Sequence, residues 1–333
     1  MTIDRRNILK RASAVTGSAL YPWLASIGTV SAQEVWPSRP IRMISAGTPG
    51  STSDIFVRIL EPRLRERLGQ NILIENKPGA GGMVAAGVAA NAAPDGYTYF
   101  ISNVATNSIG VTLYKKPSFD PRRELPAVAR IATLTNALAV RSDRGINSVS
   151  DLLAYLKANP KQALYGSAGS GTTSHLCGVL LSQKTGLEST HVPYKGTAAN
   201  LTALLGGEIT YSLDNLPQYT PHVKAGTLKL LAITSGKRVS THPDIPTLQE
   251  AGITDFDVTS WFGISAATGT PPAFINRLGA EIVAALGDAG IVARLKEVGA
   301  EAAPLGPNDY AQFIEAEIRK WAPVIKASGA SVD

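Results

Sequence analysis

Residues able to do covalent chemistry are few and scattered in this chain. It has one cysteine, Cys177, and four histidines, His175, His191, His222 and His242. The histidine spacings match no metal-ligand pattern, and neither HExxH nor a P-loop is present. In "AGSGT" (168–172), Ala168 stands where a nucleophile elbow needs its first glycine. No paired-carboxylate motif stands out. Cys177 reads as a small buried apolar side chain rather than a nucleophile. No metal and no cofactor is expected.

Polar, unreactive loops stand out instead. In "GTPGSTSD" (47–54), Thr48, Pro49, Gly50, Ser51, Thr52 and Asp54 lie between an apolar strand and a helical pattern. Glycine lets backbone approach a ligand closely, and hydroxyls donate hydrogen bonds. The helix start adds unpaired N–H groups and a partial positive charge. Together these make a seat for an anion such as a carboxylate, without arginine or lysine. Residues 165–175, "YGSAGSGTTSH", repeat the plan with Ser167, Ala168, Gly169, Thr172 and Thr173. His175, just inside that helix, is either a ligand contact or a structural hydrogen-bonding group. A third polar loop, "SNVATNS", follows the strand ending at Ser102 and offers Asn103 and Thr106. Asp54 either touches ligand or caps its own helix. Asp214 follows a strand; facing the site, it would accept from an amino group or water and repel a bare carboxylate. Two cradles in separate halves suggest that each half supplies one jaw.

Strand and helix patterns alternate around these loops. A strand at 42–45 precedes a helix with Ile55, Ile59, Leu64 and Leu68 near one face, a kink expected at Pro62 and a stop at Gly69. Strands are expected at 71–76, 97–103, 137–141, 163–167, 189–194, 208–213, 228–235 and 260–266. Helices are expected at 83–93, 150–160 (opened by Ser148 and Asp151), 174–186, 197–207, 247–252 and 273–286. In the last helix Tyr310, Phe313, Ile314, Ile318, Trp321 and Ile325 recur at helical spacing, as a core face. Repeated βα units predict an α/β fold with parallel sheets covered by helices. In such sheets ligands sit beyond the carboxyl ends of the strands, where the cradles fall.

The chain of 333 residues suits two domains or one large one. Its start reads as an export signal: Arg5 and Arg6, a short apolar run, and small residues before Gln33. Ile8 and Leu9 after the paired arginines fit a twin-arginine signal, with cleavage expected after Ala32. Losing Asp4, Arg5, Arg6, Lys10 and Arg11 lowers the formal net charge from +6 to +3. No cluster of basic residues interleaved with aromatics remains, which argues against nucleic acid. No later stretch is long enough to span a membrane.

These segments resemble the Bug family of periplasmic solute-binding proteins, the receptors of tripartite tricarboxylate transporters. The first cradle is similar to the family's PGGxxD segment, with Ser51 in place of the commoner glycine. "ENKPGAGG" (75–82), "PDGYT", "GSAGSGTTSHL", "VPYKGTAAN", "LDNLP", "LLAITSGKR", "PTLQEAG" and "GTPP" follow in order. The resemblance spans the whole mature chain. It implies a periplasmic binding protein of type II, with two α/β lobes and a ligand cleft between them. Residues 1–32 are then the signal peptide, 33–137 and 257–333 lobe 1, and 138–256 lobe 2. It further implies a monomer that binds a small organic acid or amide, serves membrane permease subunits, and catalyses nothing. A ligand-sensing module for a membrane kinase and an exported hydrolase are the other readings.

Overall fold

The computed structural model describes residues 36–116 and 119–332, so the expected signal peptide lies outside the described residues. The first part of the chain builds β1 (Ile41–Ser45), α1 (Thr52–Leu68), β2 (Ile72–Asn76), α2 (Met83–Ala90) and β3 (Thr98–Asn103). A π-helical turn, Ala105–Ile109, runs into α3 (Gly110–Leu113), and α4 (Pro121–Glu124) leads to β4 (Ala127–Arg141). The middle holds α5 (Val149–Ala158), β5 (Leu164–Ser167), α6 (Thr173–Thr185), β6 (Thr190–Pro193) and α7 (Thr197–Gly206). β7 (Tyr211–Asn215), α8 (Leu216–Lys224) and β8 (Leu228–Ile233) complete it. The chain then returns as β9 (Thr259–Ala266), α9 (Pro272–Ala285), α10 (Ala289–Glu297), β10 (Glu301–Leu305) and α11 (Pro307–Ser328).

The strands run in the order β2-β1-β3-β9-β4-β7-β5-β6, with β8 and β10 also pairing with β4. β1 lies parallel to β2 and β3, and β5 parallel to β6 and β7. Between these clusters every pairing of β4, and that of β3 with β9, is antiparallel. The α/β expectation is met, but the sheet is mixed rather than wholly parallel. The cause is β4, 15 residues long where a short strand at 137–141 was expected. Its first half pairs with β9 and β10, and its second half with β7 and β8. Both faces of β4 are covered, so its burial does not alternate, and a period-two pattern had nothing to report.

Other differences are local. Residues 247–252 form turns, not a helix. Thr247 and Glu250 cap each other, but Gly252 at φ 93° takes the chain away. The polar stretch after β3 is helical, because Asn103 Oδ1 accepts the N–H groups of Ala105 and Thr106. α1 runs unbroken through Pro62, which is exposed, so the carbonyl it leaves unpaired faces water. α4, α8, α10 and β10 were not anticipated.

The core positions the loops. α1 buries Phe56, Val57, Leu60 and Leu64, and α11 buries Tyr310, Ile314, Ile318, Trp321 and Ile325. Burying each large apolar side chain contributes about 1.5–3 kcal/mol. Glu317 accepts from the indole N–H groups of Trp261 and Trp321, which locks α11 onto β9. Among the described residues no helix is long and apolar enough to cross a membrane.

Candidate ligand-binding site

The first cradle begins where β1 ends. Ser51 N–H closes a turn onto the Thr48 carbonyl at 3.0 Å, and Gly50 takes φ 80°. A Cβ on Gly47 would lie 2.0 Å from Ser51 Oγ, so no side chain fits there. Ser45, Ser53 and Ser51 join their hydroxyls in series at 2.9 and 3.2 Å. Asp54 is buried and accepts from Gly50 N–H at 2.9 Å and from Arg58 at 2.8 and 3.1 Å. Burial pushes its carboxyl up, but the Arg58 and Gly50 hydrogen bonds outweigh that and hold it below the usual range. Its oxygens thus brace the loop and its own helix. Asn76, at the end of β2, donates to the Gly47 carbonyl at 2.9 Å and braces the same loop. Thr48, Pro49 and Gly50 stand exposed at the tip, with Ser51 and Thr52 half-buried behind them.

The second cradle lies between β5 and α6. Gly169 and Gly171 take φ 131° and 81°, where a side chain would be strained. Thr172 caps α6: its Oγ1 accepts from His175 N–H at 3.4 Å and donates to the Gly169 carbonyl at 2.7 Å. Ala168 N–H donates to Ser174 Oγ at 2.9 Å. His175 accepts Gly171 N–H on Nδ1 at 3.2 Å, so that nitrogen carries no proton. Its ring stacks on His191 with centroids 4.0 Å apart, and His191 stacks in turn on Tyr165. Burial pushes His175 down to about 4, and burial with the neighbouring His175 pushes His191 down to about 3.

These loops converge although they lie far apart in sequence. A Cβ on Gly81 would sit 3.3 Å from the Ser170 carbonyl. One on Gly82 would meet Thr106 Cγ2 at 2.9 Å and Ala46 Cβ at 3.0 Å, and one on Gly171 would meet Leu113 at 2.4 Å. Tyr114 donates to the Ala80 carbonyl at 2.9 Å. The stretches 46–51, 79–82, 103–114 and 168–173 therefore meet around one place, with the N-termini of α1 and α6 beside it. Asn103 and Thr106 belong to this cluster, but their polar atoms largely hold the turn after β3. Gly81, Gly82, Tyr114 and His191 carry the convergence without having been singled out as site residues. Gly81 and Gly82 lie in "ENKPGAGG" (75–82), a segment quoted only for the family resemblance. Asp214 is buried on β7, its carboxylate taken by Asn200 Nδ2 and Asn215 N–H, both at 2.8 Å. Burial pushes its carboxyl up.

One pair has the look of a catalytic dyad. Ser167 Oγ lies 2.6 Å from His191 Nε2. Ser167 is fully buried and also bonds both backbone groups of Gly169. A base held near 3 takes a proton poorly at neutral pH, and no carboxylate orients the ring among its described contacts. Cys177 is buried, which pushes its thiol up, and it contacts Asn136. Among the described residues no group of three or more His, Cys, Asp or Glu is placed to hold a metal ion. A separate groove of about 390 Å³, lined by Thr133, Thr135, Ser235, Lys237, Thr259 and Glu301 among others, shares no residue with either cradle. The arrangement at the cradles suits hydrogen bonding to an anion.

Known proteins are similar to this chain in sequence and fold. BugT of Bordetella pertussis is 30% identical over 97% of this chain and 99% of its own. A structure of R. palustris Rpa4515 with adipate superposes with a TM-score of 0.85 at 35% identity, covering 89% of this chain and 99% of that one. MatC of Rhodopseudomonas palustris, solved with bound malate, gives 0.80 at 30% identity over 87% and 100%. The family model for the tripartite tricarboxylate transporter family receptor matches residues 56–330. With most of its length matched, the chain belongs to the family of tripartite tricarboxylate transporter receptors, the solute-binding proteins that include the Bug proteins.

Proposed function

We propose that the protein is a periplasmic receptor that captures a small carboxylate between the loops 46–51 and 168–173 and delivers it to a tripartite permease. The observation that carries this reading is the meeting of two glycine-hydroxyl cradles, each at a helix N-terminus, at one place. Related structures that hold adipate and malate support a dicarboxylate as the ligand class. Thr48 to Thr52 on one side, and Ser167 to Thr173 on the other, supply the hydroxyls and N–H groups. Neither His175 nor Asp214 contacts ligand in this reading, since both are engaged internally. Residues 33–137 with 257–333 form one jaw and 138–256 the other, joined through β4 and the return into β9. The ligand leaves chemically unchanged: in the Ser167–His191 pair the serine is buried, and burial keeps the base weak. The chain reaches the periplasm through the signal at residues 1–32 and acts as a monomer.

A thermal-shift panel of dicarboxylates, tricarboxylates, aromatic acids and pyridine amides tests this. A ligand at ~100 times its dissociation constant adds about 2.7 kcal/mol. Stabilisation by carboxylates, with mass spectrometry recovering the same compound after long incubation, supports the reading. A recovered product, or no response to any acid, overturns it.

A further inference from the structure

Thr173, the first residue of α6, bonds through its hydroxyl to a residue outside the cradle. Its partner is Ser260 Oγ on β9, 2.7 Å away, and both residues are buried. Ser260 donates to Asn136 Oδ1 on β4 at 3.4 Å. Asn136 Nδ2 donates to the Leu213 carbonyl of β7 at 3.1 Å, and Asn136 N–H donates to Thr234 Oγ1 at 3.1 Å. Thr234 in turn donates to the Val258 carbonyl at 2.7 Å. These residues sit where β4 leaves one half of the sheet for the other. Leu134 and Thr135 still pair with Ser260 and Thr259, whereas Ala137 already faces Asp214 and Ile233. One run of polar side chains therefore starts at the second cradle and touches each strand that passes between the halves. The groove is lined by Thr135, Ser235 and Thr259 of the same crossing region.

We propose that Ser260 is a positioning residue for ligand capture. The relay Thr173–Ser260–Asn136 ties the orientation of the second cradle to the bend of the crossing strands. This rests on the reading of the protein as a two-jawed carboxylate receptor. A buried hydroxyl is costly to leave unpaired, and hydrogen bonds weaken steeply with angle. The relay thus has one satisfied geometry, and a shift of the α6 N-terminus either carries β9 with it or breaks the bond. A ligand moves an equilibrium only by its differential affinity for the two states. The relay supplies that difference, because the cradle is correctly shaped in only one setting of the halves.

The test uses spin labels on Glu66→Cys and Lys161→Cys, both exposed and one in each half, with adipate and malate as probes. Calorimetry gives affinity and dipolar spectroscopy gives the label separation. In the otherwise unaltered protein the separation shortens to a single narrow distribution at saturation. Ser260→Ala and Thr173→Val each weaken binding about tenfold and leave the distribution broad even at saturation. The double variant is no worse than either single, as expected for one shared contact. Ser260→Thr keeps the hydroxyl and restores the narrow distribution. A purely structural role would lower the melting temperature and leave the saturated distribution narrow, which overturns the inference. If the parent protein responds and the variants respond alike, the inference fails alone. If the parent binds no acid of the thermal-shift panel and its separation never changes, the receptor reading fails and takes the inference with it.

Discussion

Acid should destabilise this protein well above the pH at which its paired carboxylates protonate. The perturbation is pH itself, acting on the stacked pair His175 and His191. His175 accepts the Gly171 N–H on a ring nitrogen, so protonation breaks that bond and puts a charge in a buried site. Its ring is held near 4 in the folded chain, against 6.5 in the unfolded one. Between those values the unfolded state binds more protons, so stability is complete above about 6.5 and is lost as pH falls toward 4. At about pH 5 the loss from His175 alone is about 2 kcal/mol relative to neutral pH. His191, held near 3, adds a share of the same sign, reduced because its ring is partly exposed. His242, lowered by burial and by Lys224, leans the same way. Asp214 opposes them: burial raises its carboxyl, so its ionisation costs stability as pH rises through the upper carboxylate range. Asp54 and Glu75 are held below their ordinary values and contribute only at more acidic pH. Urea unfolding across pH 5 to 8 measures the slope. The control is His175→Asn with His191→Gln, which keeps an acceptor near each bonded nitrogen and removes both titrations. It should flatten the slope by more than half. A parent protein equally stable at both ends of the range, or a control with an undiminished slope, would refute the reasoning.

The remaining perturbations act on the cradles and the export signal. Thr172→Val removes the cap of α6 and one of the three bonds that hold the Gly169 carbonyl. It should cost about 1 kcal/mol of stability and weaken carboxylate binding ten- to a hundredfold, about 1.5–3 kcal/mol for a bond to a charged group; denaturation and calorimetry read the two. Gly171→Ala places a methyl 2.4 Å from Leu113 at φ 81° and should lower stability by about 1–3 kcal/mol in thermal unfolding. Asp54→Ala leaves Gly50 N–H without its acceptor, so the first cradle should loosen and binding should fall about tenfold by calorimetry. Replacing Arg5 and Arg6 by lysine should leave precursor in the cytoplasm if the signal is of the twin-arginine type; cell fractionation reads this.

What could be read in the sequence followed from local physics. Ser148 caps α5 through the Asp151 N–H as the spacing suggested, and the apolar repeat of α11 is a core face. Both depend on neighbours within a turn or two. β4 was half-read because burial on both faces erases alternation. Thr247 and Glu250 imitate a helix start, but no helical run follows. The cradles were visible as loops, while their meeting was not. Gly81 approaches Ser170, and His175 stacks on His191, through long-range packing that no window of sequence contains. Ser260 sits inside an apolar strand and gives no sign in the sequence that its hydroxyl serves α6.

The absence of arginine and lysine from the cradle contacts has a consequence for release. The guanidinium of Arg58, on α1, is spent on Asp54. A carboxylate held by neutral donors gains about 1.5–3 kcal/mol per bond. Removing the partner of a buried charge pair would instead cost about 3–5 kcal/mol, because it strands the remaining charge. A receptor that hands its cargo to a permease benefits from the first arrangement. Release then breaks several modest bonds that water can replace, and leaves no stranded cation behind. The neutral state of His175 and His191 serves the same end. An imidazolium at His175 would lose the bond from the Gly171 N–H and add a charge that any carboxylate would find hard to leave. Depressed histidines, paired hydroxyls and glycine backbone thus describe one design, a seat polar enough to hold an anion and uncharged enough to give it up.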